Sequence, residues 1–224
     1  LYVAGIAAGV AAVFRTPLGA ALFAAEVLYR DDFESDALVP AVLASVVGYS
    51  VGLPFGESSA LFAHAPSYPF VPAHLPYFVI LALFEVVLGL TFLRALKMVR
   101  DTTARLPGPV WLRPGAGGLA LGVLTAPLLW YLGNRLGRPG GGFGILGGGY
   151  GAAQVAITGA DWLPSGFRGA EVLAVLCLLK LVASAFTVGS GGSAGDFAPS
   201  IVIGGLLGGS FGRAVQVVTG DPTI

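Results

Sequence analysis

The stretch Gly189-Ser190-Gly191-Gly192-Ser193-Ala194-Gly195-Asp196-Phe197-Ala198-Pro199-Ser200 organises the reading of the chain, and four of its residues are glycine. It joins two apolar segments, residues 172–188 and 201–211. Glycine lets backbone N–H groups converge without Cβ atoms in the way. Pro199 and Ser200 open a helical pattern, as proline does in a first turn. The N–H groups at a helix start, together with the helix dipole, favour an anion. The stretch therefore has two readings: an anion site at a helix N-terminus between membrane segments, or a plain glycine hinge.

Composition places these segments in a membrane. The 224 residues are 55% hydrophobic and 11% charged, with a mean hydropathy of +0.84; a soluble domain carries roughly 25% charge. The 35 glycines and 15 prolines are residues that membrane helices tolerate, and glycine permits close helix packing. Net charge is zero, which gives no attraction for nucleic acid. Cys177, the single cysteine, lies in an apolar run and reads as inert packing, with no intramolecular disulfide or cysteine metal cluster. Leu1 already stands inside an apolar segment, so the expectation is a piece of a longer protein, forming a single partial transmembrane domain over residues 1–224.

The spacing predicts an all-α chain. Residues 1–14 and 18–29 form two short helices broken at Arg15-Thr16-Pro17, with Thr16 as N-cap and Pro17 at the first helical position. Each is about 20 Å long, too short for a bilayer core of roughly 30 Å. Short, interrupted apolar segments mark broken helices in transporters. An acidic linker, residues 31–36, precedes a helix over 37–53. Residues 54–74 are polar and rich in proline; 75–106 form a long helix with a basic end; 107–114 turn; 115–132 form the next helix. The run Pro139-Gly140-Gly141-Gly142-Phe143-Gly144, then Gly147-Gly148-Gly149, precedes a short helix over 150–157. A loop over 161–169, a helix over 171–188 and a last helix over 201–218 complete the chain. Arg94, Lys97, Arg100, Arg105 and Arg113 cluster after a stretch without Lys or Arg. The positive-inside rule puts that cluster in the cytoplasm and residues 54–74 outside.

Ionisable groups within membrane segments are candidates for function. Glu26 stands near the cytoplasmic end of its helix, Glu85 in mid-helix, and Lys180 in mid-helix on the segment before the glycine stretch. For Glu26 the competing reading is a headgroup-level acid, and for Glu85 an interhelical contact. For Lys180 it is an ammonium that snorkels to water; the functional reading is a positive charge along an anion path. His64 and His74 lack metal-binding neighbours, and no Ser/His/Asp or Cys/His set is spaced for catalysis. Gly-Lys-[Ser/Thr] is absent, and Gly140 to Gly144 does not follow a strand, so neither glycine run reads as a nucleotide loop. No enzyme, cofactor or metal is implied.

Three stretches together resemble the chloride channel (CLC) family of anion channels and anion/proton exchangers. Residues 8–26, AGVAAVFRTPLGAALFAAE, are similar to its AGxAAxFxxPLxGxLFxxE helix pair. Gly140-Gly141-Gly142-Phe143 is similar to its glycine-rich turn before a short helix. The opening stretch is similar to its GSGxxGGxFxP motif and is followed by a helix with repeated glycines. The resemblance implies tilted and broken helices in an inverted-repeat fold, multi-pass in the lipid bilayer of a cell's inner or plasma membrane. It also implies a homodimer, with residues 17–29 and 37–53 matching interface helices. It implies a central site for chloride or a similar monovalent anion, bound by the N–H groups of Asp196 and Phe197 with Gly195 and Ala198 flanking. The family's serine loop and gating-glutamate loop would precede Leu1, and its pore tyrosine would follow Ile224.

Two departures carry expectations. Proton-coupled members have a second acid after the position of Glu26; Val27 stands there, and valine cannot relay a proton. The expectation is channel-like or weakly proton-coupled transport. The alternatives are a proton-coupled chloride antiporter with another proton route, a cation-coupled secondary transporter, and a membrane scaffold. The second departure is Asp196, where an apolar residue is usual. A carboxylate aimed at the anion would repel it by several kcal/mol at low dielectric, so its side chain is expected to point away or to cap its own helix.

Overall fold

The computed structural model describes residues 1–28, 35–54 and 70–221. The acidic residues 31–34, His64 and most of the predicted outer loop lie outside these. The described residues are helical, without strands, and divide into two compact units, residues 1–64 and 65–224.

The first unit holds α1 (Tyr2–Phe14), α2 (Pro17–Val27) and α3 (Ser35–Gly52). The break between α1 and α2 falls at Arg15, whose backbone is left-handed with φ of 56°. That conformation is costly for a residue with a Cβ, and it ends α1 where Pro17 starts α2 at its N1 position. Thr16 occupies the N-cap position as expected, but its hydroxyl makes no capping hydrogen bond. The helices approach closely because their contact faces are small. Ala7, Ala11, Ala20, Ala21, Ala24, Ala25 and Ala41 are fully buried. A Cβ added at Gly48 would lie 2.6 Å from Ala8 O. Without a hydrophobic drive between helices in lipid, such small-residue contacts are how membrane helices associate.

The second unit opens on a 3-10 turn, Pro72–His74, that leads into α4 (Leu75–Ala104). Then come α5 (Leu112–Arg135), the short α6 (Tyr150–Thr158), α7 (Phe167–Gly189) and α8 (Phe197–Thr219). α4 runs for 30 residues, about 45 Å. It buries a single stripe, Phe92, Leu96, Val99 and Thr103, at the spacing of one helix face. α7 is the most buried helix of the unit, with Val175 and Leu178 exposed on one face. Gly189 packs against α4, where an added Cβ would meet Val99 at 2.9 Å. Gly209 of α8 packs against Ala156 of α6 equally closely, and Ser210 Oγ donates to Ala170 O at 2.8 Å.

Among the described residues α3, α4, α5, α7 and α8 are long and apolar enough to cross a membrane, and α1 and α2 are shorter apolar helices. Long apolar side chains on the outer faces, such as Leu83, Val87 and Leu90 of α4, are exposed, as lipid-facing positions require. Several boundaries differ from those the spacing predicts. α5 begins at Leu112 with Pro114 inside its first turn, and α7 begins at Phe167, with Gly166 before it. A first turn has no internal use for its N–H groups, so proline is no obstacle there.

Candidate functional site

The opening stretch divides into two structures. Its first half ends α7. Gly192 N donates to Thr187 O at 3.0 Å and Gly191 N to Val188 O at 3.1 Å, while Gly191 has φ of 91°. This is a Schellman closure, with glycine at the left-handed position. A Cβ on Gly192 would lie 2.5 Å from Thr187 O. The hinge reading thus explains Gly191 and Gly192, and the α4 contact explains Gly189.

The second half starts α8, and it does so earlier than Pro199 and Ser200. The helix begins at Phe197, with Asp196 at the N-cap position. Ser200 N makes the first internal rung, to Asp196 O at 3.0 Å. Proline at the third helical position has no N–H to lose, which is why Pro199 sits inside the turn and does not head it. Asp196 makes no capping hydrogen bond with its side chain, which removes one of the two arrangements expected for it, and the residue is exposed.

Gly195 has a different character. Its φ is not left-handed, and a Cβ added there would meet nothing within 4 Å. The open space is a cavity of about 310 Å³ whose wall includes Gly195, Ala198, Gly147, Gly148 and Lys180. Asp196 and Phe197 are not on that wall. Among the described residues no lining side chain is acidic, and Lys180 is the charged one.

Lys180 is almost fully buried at 2% exposure, which excludes snorkelling in the second unit. Its Nζ donates to Gly147 O at 2.7 Å and Ile145 O at 3.0 Å. An ammonium has three donors, so these two bonds leave one more. The glycine-rich loop is shaped to receive it. Gly144, Gly147 and Gly149 have φ of 71°, 80° and 86°, and a Cβ on Gly149 would come within 2.9 Å of Lys180 Cε. Phe143, with φ of 47°, turns the chain in the same region, its ring 5.0 Å from that of Trp162. α6 then starts from Gly149.

The cavity also takes in Ser184 and Thr187 of α7, which the sequence reading passed over. Lys180, Ser184 and Thr187 lie at i, i+4 and i+7, one face of a helix. A polar stripe at that spacing on an otherwise apolar segment was the available signal. Thr187 Oγ1 bonds back to Ala183 O at 2.7 Å.

The other candidates fall elsewhere. Glu26 is exposed in the last turn of α2, in the first unit. Glu85 is half-buried on α4 and faces α8, where a Cβ on Gly204 would lie 3.6 Å from its Oε2. Cys177 is buried, and its thiol donates to Ile203 O at 3.4 Å, as inert packing requires. His74 is not a loop residue. It is buried in the 3-10 turn, and its Nε2 donates to Asp221 Oδ2 at 3.2 Å.

Known proteins match this chain along its length. It is 31% identical over 221 residues to a chloride/fluoride channel protein of Pseudomonas syringae pv. tomato, covering 93% of this chain and 42% of that one. It is 29% identical over 217 residues to the voltage-gated ClC-type chloride channel ClcB of Shigella flexneri, covering 94% and 46%. An uncharacterized protein of Methanocaldococcus jannaschii is 26% identical over 214 residues, covering 95% and 49%. The chain thus spans about half the length of these relatives. No solved structure matches it. The family model described as voltage gated chloride channel matches residues 1–224, and this all-α, multi-pass membrane chain belongs to that family.

Proposed function

We propose that the chain supplies the central anion site of a membrane transporter for chloride or a similar monovalent anion. The observation that carries this reading is the cavity at the start of α8, with a buried ammonium and no acidic side chain on its wall. An anion there is held at the start of α8, where Gly195 and Ala198 stand on the cavity wall, and by the field of Lys180. In a low-dielectric setting a single unit charge at about 4 Å is worth on the order of 4 kcal/mol or more. Gly195 supports the assignment because neither turn geometry nor packing demands a glycine there. The relatives' names, chloride/fluoride channel and ClC-type chloride channel, agree in substrate class.

The transport is channel-like. Val27, after Glu26 at the end of α2, has no proton to exchange, so chloride movement is uncoupled from a fixed proton count. Glu26 then serves as an inner-side acid without relay. The two units belong to one membrane domain, and the full-length protein is a homodimer through the α2 and α3 region. The test is chloride flux and pH recorded together in liposomes holding the full-length protein. The expected outcome is chloride efflux down its gradient without stoichiometric proton movement. Chloride driven uphill by a proton gradient would replace this reading with a proton-coupled antiporter, and absence of any anion flux would refute it.

A further inference from the structure

A second cavity, of about 680 Å³, lies among α4, α6 and α8. It is far along α8 from the anion site and at the end of α4 opposite the basic cluster. Its lining on α8 runs from Gly205 to Gln216, about 16 Å of helix. One part of the wall is apolar, with Phe78, Leu81 and Phe211, and Phe211 packs at 6.0 Å between ring centres on Phe84. The wall nearer the helix end is polar, with Thr158, Arg213 and Gln216.

Arg213 is the feature that calls for a ligand. Its Nε is buried and has no hydrogen-bond partner among the described residues. The side chain is held in place, its Cδ facing Gly169 and its Nη2 facing Gly159, where added Cβ atoms would stand 3.7 Å and 3.5 Å away. Among the described residues no acidic side chain lines the cavity. The nearby carboxylate of Asp221 is bonded by His74. Arg213 as a whole is half-buried and stands on the cavity wall, so its guanidinium gives the cavity a cationic end that favours an anionic group. An apolar trough continuous with that group calls for a hydrocarbon chain.

We propose that this groove binds an anionic phospholipid from the leaflet at the His74 end of the helices. Its phosphate takes the guanidinium of Arg213, with Gln216 beside it, and an acyl chain lies along Phe78, Leu81 and Phe211. Guanidinium and phosphate match in geometry and charge. The repeated glycines of α8 gain a second role: Gly208, where an added Cβ would meet nothing within 4 Å, leaves the trough open.

The test uses full-length protein in mild detergent, with native mass spectrometry reading retention of phosphatidylglycerol against phosphatidylcholine. The expected preference is about tenfold for phosphatidylglycerol, a difference of ~1.4 kcal/mol. Arg213→Gln removes the preference and Arg213→Lys keeps part of it. Gly208→Leu starts from a position where a Cβ meets nothing within 4 Å, projects into the trough and lowers retention of both lipids. Equal retention of the two lipids, no retained lipid, wild-type preference in Arg213→Gln, or wild-type retention in Gly208→Leu would each overturn the proposal. If Arg213→Gln does not fold, Arg213→Lys and Gly208→Leu still decide it. Because lipid retention is read without anion flux, the result stands apart from that of the anion site.

Discussion

In the loop before α6, Gly144, Gly147 and Gly149 hold left-handed backbones, with φ of 71°, 80° and 86°; in the loop before α8, Gly191 holds one, at 91°. Both loops reach the same cavity, yet their glycines answer different demands. The first loop is folded around Lys180 and turns its carbonyl groups inward to two hydrogen bonds. The second spends Gly189, Gly191 and Gly192 on ending α7 against α4, and leaves Gly195 facing open space. Glycine content is therefore a poor guide to a binding site.

The largest expected effect comes from cutting the link between the two loops. Lys180→Met leaves Ile145 O and Gly147 O without their donor. Unsatisfied buried acceptors cost about 1–3 kcal/mol each, so the unfolding midpoint in detergent falls clearly and anion flux drops at least about tenfold. A variant that loses stability but keeps wild-type flux would make Lys180 a strut alone. Gly149→Ala strains the first loop, since alanine pays roughly 1–2 kcal/mol in a left-handed backbone and its Cβ meets Lys180. Thermal unfolding of the detergent-solubilised protein is expected to shift by that amount.

Gly195→Ala is the sharpest contrast with it. Stability should stay within about 0.5 kcal/mol, as for an unconstrained site, while flux falls several-fold because a methyl group enters the anion's space. Equal destabilisation by Gly149→Ala and Gly195→Ala would erase the distinction between the loops. The smallest effect is expected from Asp196→Ala. The residue is exposed and off the cavity wall, and a carboxylate directed at the anion would instead cost on the order of 4 kcal/mol. Chloride affinity should change by less than about twofold, well under the tenfold that 1.4 kcal/mol represents. A large gain in affinity would put the carboxylate at the site.

Much of this was legible in the residues. The Arg15-Thr16-Pro17 break appears in both its parts, because a proline at the first helical position allows few alternatives. Helices α4 and α6 start where their apolar periodicity starts. Helix starts at α5, α7 and α8 were misplaced by three or four residues, since the first turn makes no internal N–H bonds and so tolerates proline, glycine and arginine alike. Lys180 was read as a bare charge along a path. Its two carbonyl acceptors come from residues more than thirty positions earlier, a distance that no local pattern spans.

By itself the sequence determined that this is an all-α membrane chain with broken helices, and it singled out the glycine stretch before α8 as the place to look for an anion site. Those conclusions follow from hydropathy, from the few backbone shapes that proline and glycine allow, and from the motifs they build. The tertiary structure alone decided which glycines close turns or pack against a neighbour and that Gly195 lies on the cavity wall. It also decided that Asp196 does not cap and that the Nε of Arg213 is buried without an acceptor among the described residues. These depend on what stands opposite each residue, and apolar helices of similar composition leave that choice to packing.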